Sequence, residues 1–244
     1  MYQPYSMNQL FTRLLYTLLP GRCLLCKAQS HRHIDLCTAC ELELPLIGNP
    51  CIRCGLPCPA NIGHNPVCGP CISKPPVFDR TFCAFAYISP INLLVSDFKN
   101  GHNLVSGKVL SQVLARRYKQ DLNYRKAPHL LLPVPLHKNK LKLRGFNQAA
   151  EIAQIIGDVC QIQTNTKICS RIHETRDQKS LTADERNKNV NHAFAINRKL
   201  DGYRIAIIDD VITTGATVSA LAKLLIKKGA ISVEVVALAR TPRH

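Results

Sequence analysis

The run Tyr203-Arg-Ile-Ala-Ile-Ile-Asp-Asp-Val-Ile-Thr-Thr-Gly-Ala-Thr217 constrains the fold of this 244-residue chain more than any other stretch. Apolar residues lead into two adjacent carboxylates, Asp209 and Asp210, then a Thr/Gly turn and an apolar-periodic segment, Val218–Lys228. That order predicts a buried strand with an acidic end, a tight loop and the start of a helix. Gly215 permits the turn, while the hydroxyls of Thr213, Thr214 and Thr217 lie beside the unpaired N–H groups of a helix N-terminus, which favour an anion. Two vicinal carboxylates suit two vicinal ribose hydroxyls and a hard cation such as Mg²⁺. A nucleotide-binding P-loop is excluded. The nearest candidate, Gly101 to Lys108, has five residues between its glycines and Val109 after its lysine.

Ile205–Thr217 resembles the phosphoribosyl pyrophosphate (PRPP) motif of type I phosphoribosyltransferases. The resemblance implies that Asp209, Asp210, Thr213, Thr214, Gly215, Ala216 and Thr217 hold the ribose and 5′-phosphate of PRPP, with Mg²⁺ alongside. Its pyrophosphate needs a second loop at another strand end. Val134 and Pro135 of Leu132-Pro-Val-Pro-Leu136, followed by His137 and Arg144, are the candidates. Lys99, in Phe98-Lys-Asn-Gly101, is a lone cation added to that set. No residue is singled out as catalytic.

Cysteine is the second constraint. Ten of the 12 lie between Cys23 and Cys83, and eight form four Cys-x2-Cys pairs starting at Cys23, Cys37, Cys51 and Cys68. Each knuckle offers two thiolates to one tetrahedral metal. Sequential pairing closes the shorter loops and predicts two structural Zn²⁺. One site takes Cys23, Cys26, Cys37 and Cys40; the other takes Cys51, Cys54, Cys68 and Cys71, with Cys58 spare. The only stretch resembling a secretory core, Leu10–Leu19, contains Arg13 and no small-residue cleavage site follows, so a reducing, cytoplasmic setting with no transmembrane segment is expected.

Lys74-Pro-Pro-Val marks an expected boundary between a Cys-rich module, residues 1–75, and a larger domain, residues 76–244. The module opens with an amphipathic helix over residues 8–19. In the larger domain, strands are expected at Arg80–Tyr87, His129–Pro135, His192–Ile196, Tyr203–Ile208 and Ser232–Leu238. Helices are expected at Ile91–Phe98, Leu104–Tyr118, Asn147–Ile156 (capped by Gly157) and Val218–Lys228. His137–Arg144 reads as a basic turn, and residues 170–190 as a mobile loop. Alternating strands and helices imply an α/β fold with a parallel, doubly wound sheet.

The chain carries 32 Lys+Arg against 16 Asp+Glu, and beyond residue 76 the balance is 26 against 13, a net +13. Such a field favours polyanions, and Lys138, Lys140, Lys142 and Arg144 are the candidate nucleic-acid contacts. Broad base stacking is poorly supported, because Trp is absent and aromatic content is low; Tyr118, Tyr124, Phe146 and Tyr203 are the few candidates near basic residues.

The four knuckles, Phe98-Lys-Asn-Gly, Pro133-Val-Pro-Leu-His, Arg144-Gly-Phe-Asn-Gln148, Arg171…Gln178…Leu181…Arg186…Asn189-Val and Asp209-Asp-Val-Ile-Thr-Thr-Gly-Ala-Thr217 together resemble the ComF family. That resemblance implies a Cys₄ zinc-ribbon module joined to a type I phosphoribosyltransferase-like parallel sheet. It also implies a competence-associated role: handling incoming single-stranded DNA on the cytoplasmic side of the uptake machinery, beside a ComFA-type helicase. The alternatives are a PRPP-dependent transferase of unidentified acceptor and a PRPP-sensing regulator. Enzymes that use 6-oxopurines carry an Asp directly before the Thr-Gly of this loop. Thr213 stands there, which argues against a hypoxanthine or guanine acceptor.

Overall fold

The structure is a computed structural model that describes residues 21–59, 63, 65–100, 103–173 and 193–242. The helix expected over 8–19 and residues 174–190 of the expected loop lie outside the described residues. The chain divides into two compact units, residues 1–44 and 45–244.

Thiol spacing shapes the smaller unit. An isolated bridge between Arg22 and Gln29 brackets the first knuckle. Lys27, just past Cys26, turns the chain with φ 64° and returns its N–H to the Cys23 carbonyl at 2.9 Å. The second knuckle opens a short helix, α1 (Thr38–Leu42), with Cys37 as its N-cap. Arg32 pairs with Glu41 at 2.6 Å, and among the described residues of the unit the buried aliphatic side chains are Ile34, Leu36 and Leu44.

The larger unit begins with the same construction. Pro50 and Pro57 bracket the third knuckle, Gly55 takes the left-handed conformation that Lys27 takes in the first, and Cys68 caps α2 (Gly69–Ser73). The chain then builds a five-stranded, fully parallel sheet in the order β1 (Arg80–Ala86), β7 (Ser232–Arg240), β6 (Arg204–Ile212), β2 (Leu130–Pro133), β3 (Gln163–Thr164). Consecutive residues of β6, Ile205–Ile208, and of β7, Val235–Ala239, are all buried, so both faces of the central strands are covered. The crossovers are α3 (Ile91–Lys99), α4 (Leu104–Leu122), α5 (Lys138–Arg144), α6 (Gln148–Cys160) and α7 (Ala216–Lys227). A separate antiparallel pair, β4 (Cys169–Arg171) with β5 (Phe194–Ile196), flanks residues 174–192.

Three expectations need correction. The basic turn at His137–Arg144 is a helix. The Nδ1 of His137 accepts from the N–H of Asn139, Lys and Leu favour helix in between, and Gly145 closes it in the left-handed conformation. Gly157 is not the cap of α6, which runs on to Cys160 and ends at Gln161 with φ 58°. Gly157 is instead a packing position: a Cβ there would come within 2.7 Å of Thr164 Oγ1. The strand carrying Asp209 and Asp210 continues through both to Ile212.

The edge of the sheet at the start of β7 is closed by a buried polar network. Glu234 accepts from the hydroxyl of Tyr118 and pairs with Arg125 at 2.9 Å, while Asp121 bridges Arg125 and Arg80 at 2.6 and 2.9 Å. Burial pushes the Glu234 carboxyl up, and Arg125 and Tyr118 oppose that. Tyr118→Phe should cost about 1–2 kcal/mol, because a buried carboxylate loses a donor. A denaturant midpoint would measure it.

Candidate functional site

Parallel pairing sets the site. β2 and β6 are in register from Leu130↔Ile205 to Pro133↔Ile208, and the Val134 N–H reaches the Ile208 carbonyl at 2.9 Å. Val134 and Pro135 therefore leave the sheet beside Asp209 and Asp210, at the strand ends where ligands of such sheets bind. Asp209 Oδ1 accepts from the Asp210 N–H at 2.9 Å, and Asp210 Oδ1 from the Val211 N–H at 2.6 Å. Each bond fixes a carboxylate against the backbone N–H of the residue that follows it. Burial, then the adjacent Asp210 charge, pushes the Asp209 carboxyl up to about 7, against the pull of the Asp210 N–H, Lys99 and Arg171.

Past Ile212, residues Thr213 and Thr214 turn into Gly215, whose φ of 79° favours glycine. Gly215 caps α7 without a side-chain hydrogen bond, and Thr214 Oγ1 accepts from the Ala216 N–H at 3.3 Å. Asp209 and residues 211–218 line a small hollow of about 30 Å³ at this turn. Hydroxyls and the first turn of a 12-residue helix thus surround it, the arrangement that stabilises a phosphate dianion.

Segments far apart in sequence meet at this edge. Lys99 Nζ pairs with Asp210 Oδ2 at 3.2 Å, and the Lys99 carbonyl accepts from Gln148 Nε2 at 3.3 Å. Gln148 Oε1 accepts from Arg144 Nη1 at 3.1 Å, and Asn147 Nδ2 donates to the Val134 carbonyl at 3.1 Å. The Phe98 and Phe146 rings pack 5.4 Å apart between the same segments. Lys99, Val134, Arg144 and Asp210 are thereby brought together. Lys138 and Lys142 share one face of α5 and are exposed; Lys140 lies on another face. Of the four aromatics noted above, Tyr118 is buried and Phe146 packs on Phe98. Tyr203 lies under Arg198, while Tyr124 is 91% exposed. Arg171, in β4, stacks over Phe194 at 5.6 Å; Gln178, Leu181, Arg186 and Asn189 lie outside the described residues.

Sequence reasoning missed Arg240. An arginine closing an apolar run normally reads as a solvated strand end. Here it is 5% exposed. Its Nη1 donates to the carbonyls of Ile212 (2.8 Å) and Thr213, and its Nε to that of Cys54 (2.9 Å).

The knuckles come together in two groups, Cys23, Cys26, Cys37 and Cys40, and Cys51, Cys54, Cys68 and Cys71, each with all sulfurs within 4.8 Å of one another. A Zn–S bond of about 2.3 Å gives a tetrahedral S···S edge of about 3.8 Å. Cys26–Cys37 at 3.8 Å and Cys54–Cys68 at 3.6 Å fit that edge. Backbone N–H groups already favour thiolate: Cys40 N–H points to Cys37 Sγ at 3.4 Å and Cys68 N–H to Cys51 Sγ at 3.3 Å. Burial raises the Cys23 thiol, but backbone N–H groups led by that of Cys37 outweigh it and bring it down to about 6. The same balance brings Cys51 to about 7. Burial and neighbouring thiols push Cys40 up to about 12. This donor set suits zinc. Cys58 is buried beside the second group without belonging to it.

Residues 14–72 match the double zinc ribbon domain family. DNA utilization protein YhgH of Escherichia coli (strain K12) is 32% identical over 229 residues, 91% of this chain and 98% of that protein. The chain belongs to the ComF family. Competence protein F of Haemophilus influenzae, another relative, is 31% identical over 225 residues, 90% of this chain and 96% of that one. Similarity extends to a purine phosphoribosyltransferase from Pyrococcus horikoshii, 21% identical with a TM-score of 0.33 over 53% of this chain and 73% of that one. The core of this ComF protein is a five-stranded, fully parallel α/β sheet, preceded in the chain by two zinc-ribbon cysteine clusters. No helix among the described residues is long and apolar enough to cross a membrane.

Proposed function

We propose that this ComF protein is a competence-associated factor that handles incoming single-stranded DNA and binds PRPP at the Asp209–Thr217 edge of its sheet. The observation that carries the reading is the meeting of Lys99, Arg144, Val134 and Asp210 beside the Thr213–Thr217 turn. Asp209 and Asp210 accept hydrogen bonds from the two ribose hydroxyls, the turn takes the 5′-phosphate, and Arg144 and Lys99 attend the pyrophosphate beside the loop that Val134 and Pro135 begin. Mg²⁺, when bound, neutralises the pyrophosphate charge. DNA lies along the basic surface that includes Lys138, Lys140, Lys142 and Arg144, and the names of the relatives support the link to DNA use. Its setting is cytoplasmic, with a ComFA-type helicase as partner.

Single-stranded DNA should bind without marked sequence preference, with a log–log salt slope of about −0.7 per phosphate neutralised, hence about −3 to −4 for four to six contacts. Charge reversal at Lys138, Lys140 and Lys142 should weaken binding and flatten the slope. An oligonucleotide titration at several salt concentrations checks this; no binding at low salt, or a salt-independent affinity, rejects the DNA reading. The paired carboxylates also support a transferase acting on an acceptor other than a 6-oxopurine. That reading requires pyrophosphate release from PRPP when the acceptor is added.

A further inference from the structure

The guanidinium of Arg240 touches both a residue of the second cysteine cluster and the phosphate turn. Cys54 belongs to the second cluster, and its carbonyl accepts from Arg240 Nε at 2.9 Å. Ile212 and Thr213, whose carbonyls accept from Nη1, form the first step of the turn. A buried cation must keep its acceptors, so displacing one side strains the other.

The knuckle side of this link is held firmly. The Thr81 N–H donates to the Ile52 carbonyl at 2.8 Å, and Thr81 Oγ1 to that of Arg53 at 2.7 Å. Gly55 sits so close to β1 that a Cβ would come within 2.9 Å of Thr81 Cγ2. Metal closes the remaining freedom, because four sulfurs on one ion fix where the Cys54 carbonyl points. On the other side, the Thr241 N–H also donates to the Ile212 carbonyl, at 3.0 Å. The end of β7 and the end of β6 therefore move as one piece with Arg240.

We propose that Arg240 is a positioning residue that couples metal occupancy of the Cys51/Cys54/Cys68/Cys71 cluster to anion binding at the Thr213–Thr217 turn. Zinc orders the Cys54 carbonyl, Arg240 carries that order to the carbonyls of Ile212 and Thr213, and the turn is preset for a phosphate. Coupling between two equilibria is reciprocal: bound phosphate tightens zinc by the factor that zinc tightens phosphate. The proposal rests on the reading of the turn as the PRPP phosphate site.

The test uses the full chain loaded with zinc, PRPP with Mg²⁺ as the probe, and a chromophoric chelator to time zinc release. Saturating PRPP should slow the release of one zinc about tenfold. Arg240→Lys, which keeps the charge but loses the fork, should weaken PRPP by a similar factor and abolish the protection while retaining both zincs. Tyr118→Phe, at the opposite edge of the sheet, should lower stability yet leave the protection intact, which separates coupling from general destabilisation. Unchanged release in wild type while calorimetry shows PRPP bound overturns the proposal, as does full protection in Arg240→Lys. Hydrogen exchange decides the matter if that variant does not fold, or if PRPP does not bind the wild type. Amides 213–217 should exchange faster once zinc is withdrawn from wild type; unchanged exchange overturns the coupling. Faster exchange without PRPP binding upholds the link and rejects only the PRPP reading.

Discussion

Withdrawing zinc should unfold residues 21–44 and loosen the segment from Cys51 to Cys71, while the parallel sheet stays folded. Structural zinc contributes an apparent ~10–16 kcal/mol near neutral pH, about the whole stability of an ordinary domain. The smaller unit has little to replace it: besides Cys23, its buried apolar side chains are Ile34, Leu36 and Leu44 among the described residues. Around the second cluster, the buried group is itself Cys51, Cys58 and Cys71. By contrast, β6 and β7 bury unbroken apolar runs that no metal supports. Elemental analysis should find two zincs per chain, unchanged in Cys58→Ser, and one zinc or none would refute the assignment. Hydrogen exchange after chelation should then lose protection in the cysteine-rich segments before the sheet. The sign with pH follows from the thiols. Without metal, Cys40 is pushed up to about 12 and Cys54 to about 11, in each case first by burial, so both hold protons at neutrality. Zinc uptake must expel those protons, and affinity should fall as pH falls.

Asp209→Asn together with Asp210→Asn should abolish measurable PRPP binding at concentrations that saturate the parent. Each carboxylate offers a charge-assisted hydrogen bond worth about 1.5–3 kcal/mol, so the pair accounts for a hundredfold or more in affinity. Folding should respond the opposite way. The Asp209 carboxyl stands at about 7, raised by burial and by Asp210, against an ordinary value of 3.8. Protonation is therefore favoured by the native state, and that stabilisation is complete below pH 4 and lost as pH rises to about 7. Asp209→Asn alone should therefore be more stable than wild type at pH 8 and gain nothing at pH 4. Denaturant midpoints at the two pH values, with calorimetric titration of PRPP, measure both effects. A variant that folds normally and binds PRPP as wild type does would place the site elsewhere. The combination of lost binding and gained stability distinguishes a strained functional pair from ordinary surface carboxylates.

The alternation of strands and helices, the four cysteine pairs and the Asp-Asp-Val-Ile-Thr-Thr-Gly run were legible in the sequence, because each depends on neighbours within about a dozen residues. Hydrophobic period, knuckle spacing and the need for a left-handed turn at Gly215 are local properties. The helix at Lys138–Arg144 was locally ambiguous: a run of like charges reads as a solvated turn until His137 and Gly145 are seen to cap it. Gly157 looked like a helix end because glycine usually is one; its close packing against Thr164 comes from a strand too short to read. What only the tertiary structure decided is which distant groups meet. Parallel pairing places Lys99 on Asp210 and Gln148 on the Lys99 backbone, across separations set by crossovers rather than by spacing. Arg240 reaches Cys54 across 186 residues. No periodicity marks such a residue, because its role comes from buried carbonyls that only the folded chain assembles around its charge.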